Sequence, residues 1–154
     1  MSAINLPMID RIAEFVEVVR KNRVVMLAAP TGAGKSTAGP YGLLFAGLNG
    51  KGQIAVTEPR RPAAISLAKW VAQNDRTPLG RRVGYQIGMS RQVSRGCELV
   101  YMTEGILLNR MHSDPMLSDY SIVVLGPATA ADVEAFAVEV RELFDNRVPS
   151  VLLS

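Results

Sequence analysis

Residues 23–37 read RVVMLAAPTGAGKST. Arg23 to Ala29 is a short, nearly continuous apolar run, which predicts a strand covered on both faces. Gly34, Lys35 and Ser36 then open a predicted helix, and a glycine-rich turn between strand and helix is the context of a phosphate loop. Gly32 and Gly34 lack side chains, so the backbone amides between Thr31 and Thr37, including that of Ala33, can curl around phosphate oxygens. The helix start aims its partial positive charge at the same place. Lys35 can reach the β and γ phosphates, and the Ser36 hydroxyl can ligate Mg²⁺. Ala29 stands where such loops often carry a first glycine; a small residue serves there if its φ stays negative. The motif predicts a nucleotide and leaves the reaction open.

Strand and helix signals continue in alternation on both sides of this loop. Upstream, MIDRIAEFVEVV places Ile9, Ile12, Val16 and Val19 at the spacing of one helical face. Downstream, a helix through LLFAGL stops at Asn49-Gly50-Lys51-Gly52. QIAVT predicts a strand, and EPRRP leads into the helix AAISLAKWVA, with Pro62 suited to its first turn. VGYQIG predicts a strand followed by the arginine-bearing hairpin MSRQVSRG, and CELVYM predicts another. TEG then precedes a short helix, GILLNRMHS. SIVVL is a further strand, TAADVEAFAVEVRELF a helix started by the pair Thr129 and Asp132, and VPSVLLS a last strand. Crossovers too long for hairpins predict an α/β fold, a mostly parallel sheet with helices on both faces. Ligands of such sheets bind beyond the carboxyl ends of the strands. With no internal repeat and no linker-like stretch, residues 1–154 are expected to form one domain.

Composition sets the outer bounds. The chain is 48% apolar and 20% charged, with 17 basic against 14 acidic residues and a net charge of +3. That balance is globular rather than disordered, and it permits a polyanionic partner without requiring one. A lone cysteine, Cys97, excludes an intrachain disulfide and a thiolate metal cluster. The one histidine, His112, sits in the polar stretch NRMHSDP and is expected at the surface. Without a signal peptide or an apolar run long enough to span a bilayer, the expectation is no membrane. The expected location is intracellular, cytoplasmic or nuclear and not secreted, for a whole protein or a piece of one.

The stretches VTEPRRPAAISLAKWVA, GYQIG and YMTEGILLNRMHSDPMLSDYSIVVL, in that order after APTGAGKST, resemble the first RecA-like domain of DEAH-box (DExH) helicases of superfamily 2. The likeness runs over nearly the whole chain. APTGAGKST takes the place of motif I, TEPRR of motif Ia and MTEGILL of motif Ib. The resemblance implies a RecA-like P-loop NTPase domain that uses ATP (or another NTP) with Mg²⁺ and moves on single-stranded RNA. It puts Thr31, Gly32, Ala33, Gly34, Lys35, Ser36 and Thr37 on the triphosphate, with Ser36 also on the metal. It puts Pro59, Arg60 and Arg61 beside the nucleic-acid backbone, and Thr103, Glu104 and Gly105 at a later phosphate. The residue types agree: arginine forks onto phosphate oxygens, and glycine lets a backbone come close. Glu104 is acidic and is expected to orient its neighbours rather than touch phosphate.

One motif departs from the family. The strand SIVVL should end in Asp-Glu-Ala-His, yet the four positions hold Gly126, Pro127, Ala128 and Thr129. In the family the Asp helps hold Mg²⁺, the Glu positions and deprotonates the attacking water, and the His links to a second domain. The expectation is that binding survives and hydrolysis is impaired. Of the other carboxylates, Asp132 and Glu134 fall past the next helix's first turn. Glu58, at a neighbouring strand end, is the better substitute, with a long reach to make. The family also continues past VLLS into a second RecA-like domain with an arginine finger, so strand separation is not expected of these residues alone. Two function classes stand: the nucleotide-binding half of an RNA helicase, or an inactive nucleotide- and RNA-binding scaffold. A P-loop kinase fits poorly, because TEPRR and TEG have no place in one.

Overall fold

The computed structural model describes residues 8–30, 32–126 and 150–153. A seven-stranded sheet forms the middle layer, in the order β1-β7-β6-β2-β5-β3-β4. The strands are β1 (Val24–Leu27), β2 (Gln53–Glu58), β3 (Val83–Ile87), β4 (Ser90–Gln92), β5 (Leu99–Thr103), β6 (Tyr120–Leu125) and β7 (Ser150–Leu153). Every pairing is parallel except β3 with β4, which is the hairpin expected from MSRQVSRG. The helices are α1 (Ile12–Lys21), α2 (Ala38–Phe45), α3 (Arg61–Asp75) and α4 (Glu104–Ser113). The expected helix after β6, with Thr129 and Asp132, lies outside the described residues. So do Pro127 and Ala128 at the strand tip and Thr31 in the phosphate loop.

The central strands are buried over most of their length, as their largely apolar runs require. Alternation divides them between two cores. Ile54, Val56, Leu99, Tyr101, Ile122 and Val124 pack with α1, α2 and α3. Ala55, Val100, Met102, Val123 and Leu125 pack on the other side with Leu107 of α4. Because side chains on a strand repeat every second residue, Glu58 belongs to the Ile54–Val56 face and Thr57 to the other. The apolar spacing thus dictates which face receives the acid.

Two helix starts differ from the sequence reading. Residues 9–11 form a 3₁₀ turn rather than the start of α1. The tighter turn rotates Ile9 out of the helical stripe, leaving it exposed, while Met8, Phe15, Val16 and Val19 are buried. Likewise α2 begins at Ala38, not at Gly34. The Gly34 carbonyl accepts from the amides of Thr37 and Gly39 at 3.3 and 3.2 Å, so Lys35 to Thr37 are held in turns before the helix. Pro40, third in α2, has no amide to give and fits only the first turn. In α3, Pro62 occupies the first turn as expected.

Candidate functional site

Parallel pairing brings three strand ends together. Glu58, the last residue of β2, is in register with Thr103 at the end of β5. Thr57 is in register with Leu125 on the other side, so Gly126 follows directly beside it. The loop after β1 comes to the same edge, and it is anchored there from below. Tyr101 of β5 is fully buried, and its hydroxyl donates to the Ser36 carbonyl at 2.6 Å. Burial, with Glu58 nearby, pushes the Tyr101 phenol well above its ordinary range, so it keeps its proton and donates at neutral pH.

Within the loop, Gly32 and Gly34 have φ of +82° and +92°, the left-handed region that side chains rarely adopt. That is the conformation that turns successive amides inward. Ala29 stays outside this region, so its methyl group is tolerated where a glycine is common. The Lys35 ammonium reaches back across the loop and donates to the Ala29 carbonyl at 2.6 Å. The lysine is thereby held over the concave side of the turn. Such a set of amides and an ammonium group suits a polyphosphate.

The Ser36 side chain also lies beside the Glu58 carboxylate, close enough to influence its proton affinity. Glu58 is only 4% exposed, and its Oε1 is buried without any hydrogen-bond partner. Burial raises its pKa, the Ser36 hydroxyl opposes this, and the negative charge of Glu104 adds to the rise. The reach that looked long in the sequence is shortened in the fold, because the loop is tied through Tyr101 to β5, the strand beside the end of β2.

The tip of β6 explains itself in the same terms. The Gly126 amide donates to the Thr57 hydroxyl at 3.1 Å. A Cβ at position 126 would overlap the Thr57 carbonyl oxygen and would lie 3.2 Å from Glu58 Oε1. Any side chain here, an aspartate included, requires the strand tip to move. The Thr57 carbonyl fills the space where such a side chain would start, and the Glu58 carboxylate lies next to it.

The donors at this corner are oxygens, from the Ser36 hydroxyl and the Glu58 carboxylate, which suits a hard cation such as Mg²⁺. No group of three or more His, Cys, Asp or Glu that could hold a metal occurs among the described residues. A cation here would need further oxygens from a phosphate ligand, as Mg²⁺ in nucleotide sites normally has.

Further along the edge, Pro59, Arg60 and Arg61 are exposed at the turn from β2 into α3. Glu104 and Gly105 are exposed at the start of α4, with Thr103 partly so. A Cβ on Gly105 would meet nothing within 4 Å, so the surface there is open. The register of Glu58 with Thr103 sets these two turns side by side. Sequence reasoning missed Tyr101 and Thr57; the alternation along β5 and β2 was the available signal for their facing.

A three-layer, mostly parallel α/β domain with this loop at the carboxyl ends of its strands is a P-loop nucleotide-binding fold. A family model for DEAD/DEAH box helicases matches residues 11–154, and the chain belongs to that family. The pre-mRNA-splicing factor ATP-dependent RNA helicase DEAH10 of Arabidopsis thaliana is 39% identical over 125 residues, covering 80% of this chain and 17% of the relative. The ATP-dependent RNA helicase TDRD9 of Danio rerio is 35% identical over 154 residues, covering 96% of this chain and 12% of the relative. The crystal structure of Escherichia coli DEAH/RHA helicase HrpB is similar with a TM-score of 0.82 and 32% identity, covering 97% of this chain and 20% of that one. The chain thus spans under a fifth of the length of the DEAH10 and TDRD9 relatives. No helix among the described residues is long and apolar enough to cross a membrane.

Proposed function

We propose that residues 1–154 are the nucleotide-binding first motor domain of a DEAH-type ATP-dependent RNA helicase. In this reading the domain grips ATP or another NTP with Mg²⁺ and contacts single-stranded RNA, while hydrolysis is impaired. The observation that carries it is the shared sheet edge: the loop Gly32–Thr37 and the turns at Arg60–Arg61 and Thr103–Gly105 all lie at carboxyl ends of parallel strands.

Each residue then has a role. The amides of residues 32–37 surround phosphate oxygens, and Lys35 leaves the Ala29 carbonyl for the more strongly attracting phosphates. Mg²⁺ bound with the nucleotide supplies charge neutralisation, with the Ser36 hydroxyl among its oxygens. Arg60 and Arg61 pair with RNA phosphates, and Thr103 and Gly105 accept the next phosphate close to the backbone. Such contacts do not read bases, so binding is tolerant of sequence and sensitive to salt.

The impairment follows from Gly126-Pro127-Ala128-Thr129, which offers neither a metal-side acid nor a base for water. A general base is worth about 10² to 10⁴ in rate. The closing wall of the cleft, with its arginine finger, belongs to a second RecA-like domain of a longer parent. The second reading, a scaffold that binds nucleotide and RNA without turnover, is favoured by the tightly packed Gly126. Phosphate release with single-stranded RNA present separates the two. Slow turnover that disappears in Lys35→Ala supports the motor half with impaired hydrolysis; nucleotide binding with no turnover supports the scaffold.

A further inference from the structure

The tip of β6 carries no acid, and a buried acid from the neighbouring strand stands beside it. A carboxylate oxygen with no partner, on a residue only 4% exposed, lowers stability. It persists in folded proteins where a ligand completes it. The same carboxylate has a specific neighbour, the hydroxyl of Ser36, the loop residue suited to a cation. A Cβ on Gly126 would lie 3.2 Å from the unpartnered Oε1, so the carboxylate reaches the point where a side chain from β6 would begin.

From this juxtaposition of Glu58, Ser36 and Gly126 we infer that Glu58, carried by β2, replaces the missing β6 acid as the carboxylate that faces the cation of bound Mg–nucleotide. The inference rests on the nucleotide reading of the loop and assigns its metal-side partner. Glu58 acts as a positioning residue. By accepting the Ser36 hydroxyl proton in a hydrogen bond, it turns the Ser36 oxygen lone pairs outward to a cation. Its Oε1, buried and without a partner here, takes a water of the cation's shell once bound nucleotide opens this corner, since Mg²⁺ keeps several waters. No general base is supplied by this arrangement, so it restores metal-assisted binding and not water activation. Period-2 alternation makes the replacement possible: Glu58 lies on the face of Ile54 and Val56, the face over which α2 packs.

Glu58→Gln is the informative variant. It keeps the shape and an acceptor for Ser36 while removing the charge, and removing an unpaired buried acid favours folding. A fluorescent ATP analogue is titrated onto the whole chain, once with Mg²⁺ and once with EDTA. Mg²⁺ is expected to tighten binding to the unaltered protein. Glu58→Gln is expected to lose about 10- to 100-fold of that Mg²⁺ gain, the range for partners behind a metal ligand, and to bind as before in EDTA. Mn²⁺ electron paramagnetic resonance with ADP present should show the same loss of bound metal. Glu58→Asp, which keeps the charge and retracts it, should fall between the two and serves if the glutamine variant does not fold. An unchanged Mg²⁺ gain in Glu58→Gln, or no Mg²⁺ gain in the unaltered protein, overturns the inference alone. A Lys35→Ala variant that binds nucleotide normally in both buffers overturns the nucleotide reading beneath it.

Discussion

The Tyr101 hydroxyl, at the middle of the sheet, hydrogen-bonds the Ser36 carbonyl at 2.6 Å across 65 positions of sequence. This contact fixes the loop's height above the strands. Tyr101→Phe leaves the carbonyl without that donor and should cost about 1–3 kcal/mol of stability, the usual penalty for an unsatisfied buried acceptor. Urea unfolding checks it. A variant as stable as the parent would mean that the loop finds another donor at no cost.

Gly126 tests the packing at the tip of β6. Gly126→Asp restores the family residue on paper, yet its Cβ overlaps the Thr57 carbonyl oxygen and crowds Glu58. It should destabilise by about 1–3 kcal/mol, as overpacking does. It should leave phosphate release at background as well. Recovered turnover at parental stability would show that the strand tip moves freely.

Arg60 and Arg61 test the RNA surface. Reversing the charge at Arg60 should weaken binding to poly-U and to mixed single strands by the same factor. Loss of one phosphate contact should lower the salt slope by about one. A loss confined to one sequence would point to base contact instead.

Cys97 gives a pH prediction. It is 3% exposed, and burial pushes its thiol up to about 11, with a backbone hydrogen bond at Leu99 pulling the other way. The folded state therefore holds the proton more tightly than the unfolded chain. Stability from this group is intact below the unfolded thiol's range and falls as pH rises from there toward 11. At about pH 8 iodoacetamide should label it only as fast as the protein opens, because thiolate is the nucleophile. Labelling at the rate of an exposed thiol would contradict its burial.

Much of this was legible in the sequence because the determinants are local. The glycines of the loop announce positive φ, the apolar runs announce central strands, and Pro62 marks the start of α3. Even the absence of the β6 acid could be read directly from SIVVLGPAT. Three features could not, because each depends on contacts that no single stretch contains. The order β6-β2-β5 sets Glu58 between Gly126 and Thr103, and no run of sequence states that order. Tyr101 reads as one more apolar strand residue until the loop lies above it. The late start of α2 results from Gly34 accepting two amides at once, a competition that motif spacing does not reveal.

The central proposal is that this domain holds a nucleoside triphosphate at Lys35 with its hydrolysis impaired. Radiolabelled ATP incubated with the protein, Mg²⁺ and single-stranded RNA, then recovered from the bound fraction, tests it directly. The account predicts intact ATP on the protein and none on Lys35→Ala. Phosphate released well above background, and lost in Lys35→Ala, would contradict it.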